Sequence, residues 1–369
     1  LASNSYKSSK VQLGRIIDII QSPKDNNFAV INHKQELHIY SSYKDKSYKV
    51  DTSKHDFIHA SWSVEGRYLA YNCSINSRCS IIKIFDTKSK KTYNITDPVN
   101  KDFCPVFDNT GKYLAFLSVR TFNPTYDNIQ FDLSFQNGEK PYIITLSKDT
   151  ESPFLLSPQN DSKDTKDEEN NKKDKKNNKE DSVTTTIDFD NIQNRIIEIP
   201  VPDSKYSDSI AFKDNKLYYI TNIEYNDQHL GTGDLKFYDI KEQEEKLFIP
   251  KISDFKLFDD KILINNNKNI RLLPIAAPPA KDVLSNMKYT EKSGLINLNR
   301  IKLEINPSDE WKQMYSEAWR LQRDYFWVSN MSGINWKKIY TRYYTLIERL
   351  GTRGEFSDLL WEMQGELGT

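Results

Sequence analysis

Two nine-residue stretches constrain this chain more than anything else in it. "SVEGRYLAY" (Ser63 to Tyr71) and "DNTGKYLAF" (Asp108 to Phe116) match position by position, 45 residues apart. "SPKDNNFAV" (Ser22 to Val30) is a weaker copy before them, and "FKDNKLYYI" (Phe212 to Ile220) and "FDDKILINN" (Phe258 to Asn266) are fainter ones after. Each opens on a polar turn of Gly, Asp or Asn and runs into a strand of aromatic and aliphatic residues. A second strand follows each, as in "LHIYS" from Leu37, "IIKIFDT" from Ile81, "YIITLS" from Tyr142, "LKFYDI" from Leu235 and "IRLLPI" from Ile270. Charged stretches such as "KSKKTYNI" then suit an exposed hairpin leading to an outer strand.

A multi-stranded unit recurring every ~40–45 residues is the mark of β-propeller blades. One such sheet cannot bury both of its faces, so neighbouring units must stack around an axis. Five are countable over residues 1–275, fewer than the usual six to eight. The first copy lies close to a start at Leu1 rather than Met, so an N-terminus processed or cut from a larger propeller is expected. A β-sandwich is the alternative, and its strands do not repeat at so long a period.

Residues 161–181, "DSKDTKDEENNKKDKKNNKED", hold no aromatic or aliphatic side chain. Burial cannot offset their ordering entropy, so a disordered insertion is expected over about 157–184. Its mixed charges nearly cancel, which suits a neutral insertion better than a binding tail.

From Ala276 the character changes. "AAPPAKDVLSNMKYTEKSG" reads as a linker, and "LINLNRIKLEI" as one extended strand, together spanning 276–305. A small helical domain, 306–369, follows. Asn306 and Pro307 suit N-cap and N1, with Asp309 at N3. Trp311, Met314, Tyr315, Ala318, Trp319, Gln322, Tyr325 and Phe326 keep helical spacing. A second helix from about Trp336 carries Ile339, Tyr340, Tyr343, Tyr344, Ile347 and Leu350 on one face, with Gly351 expected as a left-handed C-cap. Thr352 with Glu355 spells a capping box, and Phe356, Leu359, Leu360 and Met363 line a third helix. The chain then runs through "QGELGT", a glycine-punctuated turn straight after an apolar helix face.

The 52 basic and 52 acidic residues leave a formal net charge of zero, which argues against a partner held by electrostatics, nucleic acid or membrane surface. No apolar run approaches the ~20 residues that span a bilayer, and no signal peptide is visible. Cys73, Cys79 and Cys104 are three, with no metal-like spacing. They suit free thiols in a reducing compartment better than a disulfide, and a cytoplasmic location is expected. There is no G-x-S-x-G elbow, P-loop, G-x-G-x-x-G or H-E-x-x-H. All five histidines, His33, His38, His55, His59 and His229, fall in the repeats. His55 and His59 are four apart, but "SKHDFIHASWS" is not helical in character, so a metal pair is weakly supported. Trp311, Trp319, Tyr325 and Phe326 could line a ligand box, though helical spacing favours packed core. Glu317 and Asp324 show no partner that would mark an acid–base pair. From the residues alone, no cofactor, metal or catalytic group is expected.

The helical segment resembles a known family. "EWKQMYSEAWRLQRDYFW" (Glu310 to Trp327) and "NMSGINWKKIYTRYYTLIERLGTRGEFSDLLWEMQGELGT" (Asn330 to Thr369) are similar to the first core domain, C1, of tricorn-type proteases, large cytoplasmic serine peptidases. "FDLSFQNGEKPYIITL", "SPFLL", "IDFDNIQNRIIEIPVPDSKYS" and "KSGLINLNRIKLEI" look like the second, seven-bladed propeller of the same family. The resemblance implies a chain that continues through a PDZ-like domain and a second core domain, with the peptidase site split between the two cores. It places Ser-His directly after "GELGT", so the general-base His is expected just beyond Thr369, and the nucleophilic Ser and an assisting Glu further on. No catalytic residue carries over onto these positions; Gly368 and Thr369 are the backbone leading into the site. The family further implies peptide substrates channelled by the propeller, a homo-oligomer (a hexamer) and aminopeptidases as partners. This chain alone would be inactive. The alternatives are a non-catalytic propeller scaffold that binds peptides or proteins, and the propeller of a prolyl-oligopeptidase-like hydrolase, which would need a G-x-S-x-G domain after it.

Overall fold

A computed structural model describes residues 8–55, 58–122, 124–127, 132–134, 137–154, 183–225 and 231–368. His229, Thr369 and all of the expected insertion but Val183 and Thr184 lie outside the described residues. The chain divides into two compact units, residues 1–296 and 297–369.

The first unit is mostly antiparallel strand, in five sequential blades that follow the five repeats, with blades 2 and 3 joined into one eight-stranded sheet. Blade 1 holds β1 (Ile16–Gln21), β2 (Asn27–Asn32), β3 (Glu36–Ser41) and β4 (Lys46–Thr52), in that order. Blade 2 holds β5 (Ala60–Trp62), β6 (Tyr68–Ser74), β7 (Ser80–Asp86) and β8 (Lys91–Asn94). Blade 3 is β9 (Lys101–Phe107), β10 (Tyr113–Val119), β13 (Glu139–Thr145) and β14 (Ile196–Glu198), with a hairpin of β11 (Thr125–Asp127) and β12 (Asp132–Ser134) between β10 and β13. Blade 4 is β15 (Tyr206–Lys213), β16 (Lys216–Tyr225), β17 (Gly231–Asp239) and β18 (Glu244–Ile252). Blade 5 has three strands, β19 (Asp254–Leu257), β20 (Lys261–Asn265) and β21 (Ile270–Pro274). One parallel bridge, Ser80 to Lys101, ties blade 2 to blade 3.

The polar turn of the two best copies works the same way in each. Ser63 N–H donates to the Tyr68 carbonyl (2.8 Å), and Asp108 N–H to that of Tyr113 (3.1 Å). The glycine in each turn, Gly66 and Gly111, has φ of +75° and +71°, which side chains with a Cβ rarely adopt. A Cβ on Gly66 would also meet the Ser22 hydroxyl of blade 1 at 2.4 Å.

The cores lie between blades, not within them. Leu69, Tyr71 and Cys73 of β6 face Ala29, Ile31, Leu37 and Ile39 of blade 1. Tyr68 and Ala70 of the same strand face Leu114, Phe116, Tyr142 and Ile144 of blade 3. The period of two in a strand thus feeds two different cores, and every residue of β6 is buried. Blades 3 and 4 share Leu117, Ile143, Leu217 and Tyr219; blades 4 and 5 share Ile220, Leu235, Ile262 and Ile264. Each fully buried aliphatic of this kind is worth ~1.5–3 kcal/mol.

The expected 276–305 linker and strand resolve differently. Residues 281–285 form a short helix, α1 (Lys281–Ser285). No strand forms over 295–305: Leu295 makes an isolated bridge to Arg271, and Leu298–Arg300 is a 3₁₀ turn. The side chain that organises this stretch is Arg271, only 6% exposed. Its guanidinium donates to the carbonyls of Ser293 (2.7 Å), Leu284 (2.9 Å), Asn286 (3.1 Å) and Val283 (3.3 Å). All four carbonyls lie within the expected linker, so residues 283–293 fold around the arginine, while the stretch expected as a strand takes no part in these bonds.

The second unit has three main helices, α2 (Pro307–Tyr325), α3 (Trp336–Tyr344) and α4 (Arg353–Gly365). The Asn306 side chain accepts from the Ser308 N–H (3.2 Å), with Pro307 at N1 as its sequence suggests. The expected end of α3 differs. It stops at Tyr344, Ile347–Arg349 forms a 3₁₀ turn, and Gly351 is not left-handed. Its N–H instead donates to the Glu355 carboxylate (2.7 Å), which also serves the Thr352 N–H.

Candidate functional site

Two places gather chemistry in this molecule. One is the turn that closes α4, the feature the sequence singles out. Its mount is built from the helix up. Thr352 and Glu355 close a reciprocal capping box at the N-terminus, fixing where α4 starts. Phe356, Leu359 and Met363 then bury one face against Tyr315, Trp336, Ile339 and Ile347. Trp361, by contrast, is 74% exposed and takes no part in that packing. Past Gly365 the turn is held three ways. Leu367 inserts into the same core. Glu366 accepts from Arg342 Nη1 (2.5 Å) and Tyr343 Oη (2.8 Å) on α3. Gly368 N–H donates to the Gly365 carbonyl (3.1 Å), with φ of +63° turning the chain. Burial and then the Glu366 carboxylate push the Tyr343 phenol up, so it stays a proton donor.

The aromatic stripe is mostly core. Trp311 stacks on Phe356 (5.9 Å), and Trp319 on Trp336 (6.3 Å). The indoles of that second pair also donate to each other's backbone carbonyls, Trp319 to Trp336 at 2.8 Å and Trp336 to Trp319 at 3.0 Å. Phe326 packs at the edge, but Tyr325 points out, 55% exposed. Glu317 lies beside Arg320 (3.4 Å) and Asp324 beside Arg323 (2.8 Å), so each carboxyl has a cation against it.

The other place lies among the first strands of the blades. A cleft of about 400 Å³ is lined by Gln21 of β1, Ser61 of β5, Val106 of β9 and Ile210 of β15, among others. His59, Cys104 and Asp208 meet there, with one ligating atom of each within 4.8 Å of the others. The His59 Nε2 to Asp208 Oδ2 distance is 3.9 Å. His55 does not belong to this group, so the pair weighed from sequence is replaced by a trio from three blades. Cys104 is 3% exposed, and burial, then the Asp208 and Glu139 carboxylates, push its thiol well up. Such a thiol is not a poised nucleophile, and only a bound cation would draw off its proton. Asp208 and Cys104 were missed in the sequence, though a signal exists. His59, Cys104 and Asp208 each stand four residues ahead of a repeat copy, those at Ser63, Asp108 and Phe212.

Comparison with known proteins bears on the whole chain. Residues 2–275 match the tricorn protease second beta propeller domain, and residues 307–365 the tricorn protease C1 domain. A putative tricorn-like protease C-terminal subunit of Sulfurisphaera tokodaii is 32% identical, covering 99% of this chain and 40% of that protein. Tricorn protease homolog 1 of Streptomyces coelicolor is also 32% identical, covering 97% of this chain and 34% of its own length. A crystal structure of tricorn protease superposes with a TM-score of 0.78 at 20% identity, over 97% of this chain and 33% of that one. The chain thus spans between about a third and two fifths of the length of these relatives. It belongs to the tricorn protease family and carries that family's second propeller and C1 domain.

Proposed function

We propose that this chain is the substrate-handling and site-supporting portion of a tricorn-type serine peptidase acting on oligopeptides. The observation that carries the reading is the turn from Gly365 to Gly368, held by Leu367 burial and by the Glu366 contacts to Arg342 and Tyr343. A general base works only within hydrogen-bond reach of its nucleophile, so the residue after such a turn needs a stiff mount. A catalytic His just beyond Thr369 would have one. The nucleophilic Ser and assisting Glu would come from a second core domain, and the propeller would guide peptides toward them. The setting proposed is cytoplasmic, in a homo-oligomer (a hexamer) that passes its products to aminopeptidases.

The test is kinetic. In a longer protein carrying this chain and its second core domain, Glu366→Ala should lower kcat on a fluorogenic oligopeptide by about one to two orders of magnitude, with KM little changed. The 369-residue chain alone should cleave nothing. Hydrolysis by the chain alone, or an unchanged kcat in the variant, overturns the proposal. Peptide binding without cleavage by the longer protein would leave a scaffold.

A further inference from the structure

We propose that His59, Cys104 and Asp208 form a three-ligand site for a divalent transition metal of the zinc class, on the inner strands of the propeller. The donor set is the first argument. An imidazole nitrogen, a sulfur and a carboxylate oxygen are the borderline-soft mixture that zinc prefers and that magnesium or calcium does not. Geometry is the second. Zinc at ~2.0–2.3 Å from each donor requires ligand atoms roughly 3.4 Å apart, and here they already lie within 4.8 Å. The His59 to Asp208 gap of 3.9 Å is too long for a hydrogen bond but close to what a shared cation would set. Asp208 is the exposed member, its side chain 67% accessible, so its carboxylate is free of the packing that holds Cys104 in place. Three protein ligands facing a cleft leave a fourth position for water or a ligand oxygen.

The backbone is the third argument. Cys104 sits in β9 with φ of +51°, a left-handed conformation that is unfavourable for a non-glycine residue. It falls where β9 bulges against β10: Val106 pairs with Ala115 and Phe103 with Leu117, leaving an extra residue on β9. Asp208 lies in a second bulge, between Tyr206, which pairs with Thr221, and Ile210, which pairs with Tyr219. Bulges re-aim side chains out of a sheet, and two of them converge on one ring nitrogen. His59 is fixed from behind, its N–H donating to Asn72 Oδ1 (2.7 Å) and its carbonyl accepting from Asn72 N–H (3.3 Å).

The experiment titrates the full 369-residue chain with Co²⁺, then with Zn²⁺, in a Cys79→Ser parent that removes the partly exposed thiol. One equivalent of Co²⁺ should produce a thiolate-to-cobalt charge-transfer band in the near ultraviolet, displaced by one equivalent of Zn²⁺. Cys104→Ser should abolish the band. His59→Gln and Asp208→Asn, at more accessible positions, should keep the native near-ultraviolet circular dichroism and weaken Co²⁺ at least tenfold. No band in the parent, a band that survives Cys104→Ser, or an affinity untouched by His59→Gln would each overturn the site.

Discussion

The propeller and the helical unit solve the same packing problem in opposite ways. In the propeller no blade owns a core: each buried face is completed by the next sheet, as β6 shows by feeding Tyr71 to one neighbour and Tyr68 to the other. The helical unit owns one core, and aromatic rings with directed hydrogen bonds hold it. Tyr315, fully buried, donates to the Tyr340 carbonyl at 3.2 Å, and Trp319 and Trp336 bond to each other's backbones. The propeller interfaces hold aromatic rings too, but their hydroxyls reach carboxylates, Tyr71 to Asp51 (2.8 Å) and Tyr219 to Glu245 (2.6 Å), whereas the reciprocal indole bonds tie two backbones directly together. The difference suits a stacked array on one side and a rigid mount on the other.

The largest way to break that contrast is Trp336→Ala. It removes a stacked ring and one of the reciprocal bonds, and should cost the helical unit about 4 kcal/mol. A scanning calorimetry trace should then show this unit melting early while the propeller transition stays. If both move together, the two cores are not separate. Leu114→Ala is next: it opens a cavity between blades 2 and 3 and should cost about 3 kcal/mol. Its effect should be felt across two blades, seen as faster hydrogen exchange in both β6 and β10. Exchange confined to β10 would show that the blades are more independent than their shared cores imply.

The smallest test uses acid. Burial works to raise the Asp86 carboxyl, but its bonds to Arg67 (2.9 Å and 3.2 Å) and to the Lys88 N–H outweigh this and hold it at about 2. A carboxyl held below its ordinary value stabilises the fold above that value, and the gain is lost as pH falls through about 2. The propeller melting temperature should therefore drop between about pH 4 and pH 2, and Asp86→Asn should flatten that slope. An unchanged slope in the variant would remove this pair from the acid response.

Much of the architecture was legible because it rests on local rules. The turns at Gly66 and Gly111, the second strands, the Asn306 cap and the Thr352–Glu355 box each declare themselves within a few residues. What stayed hidden depends on relations between distant segments. The cleft trio is set by two bulges, and a bulge is a mismatch between strands that neither strand displays alone. Residues 295–305 read as a strand, yet Leu298, Ile301, Leu303 and Ile305 are exposed, and among the described residues no sheet covers them to reward one. Gly351 was expected to turn left-handed, but the Glu355 carboxylate satisfies its N–H first.

Arg271 carries a consequence of a different kind. A carboxylate that grips an arginine lets go when it takes up a proton; the peptide carbonyls around this guanidinium take up none across the range in which proteins stay folded. The segment that wraps it is therefore fastened by a tether that acid does not loosen, and acidity strong enough to release Asp86 should leave it in place. Its weak point lies on the alkaline side, where burial brings the guanidinium down from its ordinary value.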